Sequence, residues 1–114
     1  MRITELLNKD AMDLHAAPKS KAEAIDLLVD LMVRSGNILD KEEYKKCVLK
    51  RETIGSTGIG EGVAIPHAKT KAVKSAGLAV IVVRDGVDFE SLDGEPAKLF
   101  FLIAAPDTAD NIHL

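Results

Sequence analysis

The chain of 114 residues has no tryptophan, one tyrosine and three phenylalanines, so its core must be aliphatic. A single cysteine, Cys47, excludes an internal disulfide framework and fits a reducing compartment. No apolar run approaches the roughly 20 residues that a membrane-spanning helix needs. The opening ten residues are polar and amphipathic, unlike a secretory leader. Basic excess is also missing: 15 Lys and Arg stand against 18 Asp and Glu, for a net charge of −3. Without a basic stripe, nucleic acid is a poor candidate partner. Internal repeats and low-complexity segments are absent. These absences predict one soluble, cytoplasmic domain over residues 1–114.

What is present suits a small globular core, with 46% hydrophobic and 29% charged residues. Ser20 stands three residues before Glu23, the spacing of a capping box. Ala24, Ile25, Leu28, Val29 and Met32 then recur at helical spacing. Gly36 follows where a helix-ending glycine belongs. A helix over 21–35 is therefore expected. Asp40 and Glu43 repeat the capping signal, and Tyr44, Cys47 and Val48 form an apolar stripe on a second helix, with Arg51 one turn beyond. Cys47 reads as a small core residue, since no activating group lies near it in sequence.

The second half is strand-like. Residues 12–14 and 63–65 read as short strands. The continuous aliphatic runs 78–83 and 99–103 read as strands buried on both faces. Asp85-Gly86 is expected to break the first run, and 87–92 to form a short alternating strand. Asp93-Gly94 is a turn signal. Residues 69–75 read as a turn or a single helical turn. Asp107 or Thr108 could cap a last helix, of which only one turn fits before Leu114. Helices first and strands after imply a layered α/β domain: a mixed β-sheet flanked by helices.

The densest chemistry lies between Gly58 and Thr70. Gly58, Gly60 and Gly62 alternate with other residues and permit tight or left-handed turns. They also allow backbone N–H groups to approach an anion. Pro66 fixes its own φ and biases Ile65 toward extended backbone, which stiffens the approach to His67. Two readings stay open here: a turn feeding a buried strand, with His67 structural, or an imidazole that something must approach in one orientation. No G-K-S/T follows the glycines, which excludes the Walker A pattern. Lys69, Lys71 and Lys74 form the one local positive patch. A metal site built from His15, His67, His113 and Cys47 is disfavoured, because none stands at ligand spacing.

Taken together, Arg51-Glu52, the run from Gly55 through Gly58-Ile59-Gly60-Glu61-Gly62 to Pro66-His67, Phe89 through Pro96, 99–106 and Asn111-Ile112-His113-Leu114 carry a resemblance. They resemble the IIA domain of the fructose–mannitol class of the bacterial phosphoenolpyruvate-dependent sugar phosphotransferase system. The Pro-His-Ala-Lys-Thr-Lys string is most similar to the fructose-specific branch. The resemblance implies a phosphocarrier that takes a phosphoryl group from the phosphoprotein HPr and passes it to a IIB-domain cysteine, for uptake of a sugar through a IIC permease. It implies His67 as the phosphorylated residue, with His113 and Arg51 as its active-site partners. Neither a cofactor nor a metal is implied, and the membrane is involved only through the permease. Glu61 matches a family position near the site; His15 has no counterpart. Domains of this family continue beyond the position of His113, so the chain is expected to lack their C-terminal part. The other reading the resemblance allows is regulatory: nitrogen-related IIA proteins, and IIA-like domains of transcriptional regulators, act by binding targets.

Overall fold

The structure, a computed structural model, describes residues 9–107. His113 and the start of the expected last helix lie outside the described residues, as do most of the amphipathic opening residues. A 3-10 turn, Lys9–Ala11, leads into β1 (Met12–Asp13). Two helices follow, α1 (Lys21–Arg34) and α2 (Lys41–Ile54). Five strands complete the described part: β2 (Gly58–Gly60), β3 (Val63–Ala64), β4 (His67–Thr70), β5 (Gly77–Val87) and β6 (Ala97–Pro106).

Both helices begin where the capping signals place them. The Ser20 and Asp40 side chains accept from the backbone N–H groups of Glu23 and Glu43, relieving one of the unpaired donors at each helix start. Glu23 reaches back to the N–H of Lys19 rather than to that of its own cap. Gly36, at φ 85°, turns the chain out of α1. Ile25, Leu28, Val29 and Met32 are buried on the sheet side, each contributing about 1.5–3 kcal/mol of apolar burial. Lys41–Asp30 and Lys45–Asp26 ion pairs link the exposed sides of the two helices.

The sheet runs β1-β5-β6-β3-β2, with β4 also on β6. Strand β6 is its spine: antiparallel to β5, parallel to β3 at Leu99 and Phe100, and parallel to β4 from Ile103 onward. One face carries Ala79, Ile81, Phe100, Leu102 and Ala104 into the core shared with α1 and α2. The opposite face carries the alternating set, in which Leu78, Val80 and Val82 stand across from Ile103, Phe101 and Leu99. Neither described helix packs there. The expectation that both aliphatic runs are buried on both faces therefore holds for the first half of β5 only. In β6 Phe100 and Leu102 are buried, Leu99 and Phe101 half-buried, and Ile103 exposed.

Three further expectations are corrected. Asp85-Gly86 does not end β5; the strand continues to Val87, with a pairing irregularity after Val82 and Gly86 at φ 75°. Beyond Val87 the expected strand is a loop, in which Glu90 takes φ 56°. Residues 69 and 70 belong to β4 and not to a turn.

Candidate functional site

The glycine run forms the β2–β3 turn. Gly60 and Gly62 adopt φ 102° and 80°, and Glu61 between them φ 56°, so this backbone favours residues that tolerate the left-handed region. Glu61 N–H donates to Asp93 (2.9 Å), as does Glu95 N–H (3.0 Å). Those two bonds hold the Asp93 carboxyl below its ordinary range. Gly58 allows close packing, since a Cβ there would sit 2.5 Å from Ser91 Oγ. The pocket beside this turn, lined by Ile59, Gly60, Glu61, Val63, Leu92 and Asp93, shares no residue with those around His67. The glycines thus build a turn and its packing against the 91–93 loop.

After β3 the chain steps past Pro66. This residue lacks an N–H, but its carbonyl accepts from Ile103 N–H at 3.0 Å and keeps the strand registered on β6. Strand β4 then alternates: His67 and Lys69 are exposed, Ala68 and Thr70 buried. His67 pairs with Ile103 and Lys69 with Ala105, so these four side chains alternate with the buried Ala68 and Thr70 along the paired strands. The His67 ring folds back, with Nδ1 2.9 Å from the Ile65 carbonyl oxygen. A carbonyl only accepts, so Nδ1 carries the proton, and in the neutral ring Nε2 holds the lone pair.

Two open pockets meet at His67. The larger, about 360 Å³, is lined by Ile65, His67, Ala68, Lys69, Ile103 and Ala105. The other, about 290 Å³, is lined by Cys47, Lys50, Arg51, Ile54, His67, Ala68 and Lys69. The last turn of α2 forms its wall, and Tyr44 holds that helix to the sheet by donating to the Ile103 carbonyl at 3.0 Å. Burial pushes the Tyr44 phenol well above its ordinary pKa. The Arg51 guanidinium donates to the Gly55 carbonyl at 2.8 Å, closing the end of α2. Lys50, Arg51 and Lys69 line this pocket together with His67, a set of cations suited to an anion. Ile54, 79% exposed, gives the pocket an apolar rim.

Of the residues singled out in sequence, Arg51 and His67 line one pocket, and Cys47 lies at its margin, half-buried. His15 lines a separate pocket with Lys19 and Arg84. Sequence reasoning missed Lys50 and Ile54, which share the last turn of α2 with Arg51.

The family model for the phosphoenolpyruvate-dependent sugar phosphotransferase system, EIIA 2, matches residues 5–114. The chain belongs to this family. It is 49% identical over 114 residues to the fructose-specific EIIABC component of Bacillus subtilis, covering all of this chain and 18% of that protein. The fructose-specific EIIA component of Haloferax volcanii is 37% identical over 112 residues, with 98% of this chain and 73% of that protein covered. Among solved structures, the nitrogen regulatory protein IIA-Ntr of Neisseria meningitidis superposes with a TM-score of 0.86 at 34% identity, over 97% of this chain and 75% of that one. IIA mannitol of Escherichia coli, solved in complex with phosphorylated enzyme IIB mannitol, superposes with a TM-score of 0.77 at 27% identity, over 91% and 73%. The chain is thus a IIA domain of this family with the family's fold, a mixed sheet flanked by two helices. None of the helices among the described residues is long and apolar enough to cross a membrane.

Proposed function

We propose that this domain carries a phosphoryl group on Nε2 of His67, received from phosphorylated HPr and passed to a IIB-domain cysteine during sugar uptake. The observation that carries the reading is the Nδ1–H to Ile65 carbonyl bond, which leaves a lone pair on Nε2 of an exposed ring. In the first step Nε2 attacks phosphorus. Its bond to phosphorus forms as the donor's bond breaks, and the donor keeps the bonding pair. In the second step a cysteine thiolate forms the S–P bond, and Nε2 recovers its lone pair. Such transfer needs positioning and stabilisation of charge on the equatorial oxygens. Arg51 supplies a planar fork of donors for them, beside the Lys50 and Lys69 ammonium groups. His113 enters as a second imidazole at the phosphoryl group.

The exposed Ile54 and Ile103 flank His67 and suit a partner protein that presents its reactive residue within an apolar rim. IIA mannitol, solved with phosphorylated IIB mannitol, is the precedent for a IIB partner. Fructose is the proposed sugar, because the two fructose-specific relatives are similar over nearly the whole chain. A regulatory role is the second reading, favoured by the likeness to IIA-Ntr.

The test is incubation with phosphoenolpyruvate, enzyme I and HPr. One acid-labile, base-stable phosphoryl group per chain is expected, and none on His67→Ala. Passage of that group to a fructose IIB domain separates the transport reading from the regulatory one. Labelling of His67→Ala at the parent level contradicts both.

A further inference from the structure

One charged cluster involves none of the residues that line the His67 pockets. The Glu52 side chain is only 5% exposed. Its Oε1 accepts the Thr57 backbone N–H at 3.1 Å and stands 3.0 Å from Lys21 Nζ. Its Oε2 accepts the Thr57 hydroxyl. Thr57 is itself 4% exposed. Lys21 Nζ also sits 4.7 Å over the centre of the Phe89 ring and 3.4 Å from Glu90. The start of α1 and the segment entering β2 therefore meet at one carboxylate in the last turn of α2.

That segment, residues 55–57, is pinned at each residue. Arg51 holds the Gly55 carbonyl, Ser56 Oγ donates to the Phe89 carbonyl at 2.7 Å, and Glu52 holds Thr57 through two bonds. Arg51 and Glu52 are adjacent on α2 and grip opposite ends of the same three residues. The Gly55 carbonyl that orients the guanidinium is in turn fixed by what holds residue 57. A buried carboxylate costs several kcal/mol of desolvation unless it is paired and hydrogen-bonded. This one is bonded in full at the point where the backbone must be rigid.

We propose that Glu52 is a positioning residue. By locking residues 55–57 through Thr57, with Lys21 as its counter-charge, it holds the Gly55 carbonyl that aims the Arg51 guanidinium into the His67 pocket. This rests on the reading of Arg51 as stabiliser of the phosphoryl group, and its test has a part independent of that reading.

Glu52→Gln keeps the side-chain shape and leaves Lys21 its contact with Glu90. Thr57→Val removes only the hydroxyl arm. The first measurement is the Arg51 Nη1–H resonance of the whole chain by NMR, since Nη1 is the nitrogen that donates to the Gly55 carbonyl. A discrete, slowly exchanging signal is expected in the parent. It should collapse toward that of a solvent-exposed arginine in Glu52→Gln and move in the same direction in Thr57→Val. The second is the rate of phosphoryl transfer to His67, expected to fall about 10–100-fold in Glu52→Gln. In an Arg51→Ala background the same substitution should cost nothing further, because its effect passes through the arginine.

An unchanged Arg51 signal in a folded variant overturns the proposal. So do equal rate losses in the two backgrounds, the mark of a merely structural role. Should Glu52→Gln fail to fold, Thr57→Val decides by the same two readouts. If the parent takes up no phosphoryl group, the phosphocarrier reading fails, and the Arg51 signal still decides whether Glu52 positions it.

Discussion

Nδ1 of His67 lies 2.9 Å from the carbonyl oxygen of Ile65, two residues back along the chain. That contact fixes both the tautomer and the direction of the ring, and Pro66 between the two residues makes the local geometry stiff. The imidazole is therefore preorganised at the start of an edge strand, with Nε2 as the basic nitrogen. The cations of the last turn of α2 stand across the same pocket.

Arg51→Ala should slow phosphoryl transfer onto His67 by about 10²–10³, the loss expected when one positioned donor is removed from a transition state. Arg51→Lys should recover only part of the rate, since an ammonium group lacks the bidentate fork. Single-turnover transfer from phosphorylated HPr measures both. A parent-like rate in the alanine variant would remove Arg51 from the mechanism.

Tyr44 is the only tyrosine, so its titration can be followed alone. Burial raises its pKa above the ordinary value of 10.0. A raised folded-state value means that the contribution of the neutral phenol to stability is complete below pH 10.0 and is lost as pH rises above it. Phenolate absorbance should thus stay absent through the ordinary tyrosine range and appear together with alkaline unfolding. Tyr44→Phe, which leaves the Ile103 carbonyl without this donor, should cost about 1 kcal/mol in denaturant titration.

Asp93 behaves in the opposite sense. The N–H groups of Glu61 and Glu95 lower its pKa below 3.8. Its contribution to stability is therefore present above pH 3.8 and lost as pH falls through the lower folded-state value. Asp93→Ala should melt below the parent at neutral pH, with the gap closing only in acid below that point. A gap that is constant across the acid range would show that the carboxylate charge does not hold the β2–β3 turn.

How much of this was legible in the sequence follows from the range of the interactions. Helices α1 and α2 were readable because Ser20 with Glu23, and Asp40 with Glu43, are local signals three residues apart. Strand β4 was not, because its outward residues are His67 and Lys69 and its inward ones Ala68 and Thr70, which gives no apolar alternation. The run from Leu99 to Ile103 looked buried on both faces, yet the described helices cover only the face of Phe100 and Leu102. Nothing periodic announced that Arg51 and His67 share a pocket; their pairing came from the resemblance alone. The Glu52–Thr57–Lys21 cluster was invisible for a related reason. It joins residues 31 positions apart through a carboxylate that reads in sequence as one more exposed charge on α2.

The central claim is that His67 accepts the phosphoryl group through Nε2, with Nδ1 holding its proton toward Ile65. Nitrogen-15 NMR of the histidine rings, before and after phosphorylation by phosphoenolpyruvate, enzyme I and HPr, tests it most directly. The account predicts the Nδ1–H tautomer of His67 beforehand, and a phosphorus–nitrogen coupling at Nε2 of His67 afterwards, with Nδ1 still protonated. A phosphoryl group on Nδ1, or on a residue other than His67, would contradict it.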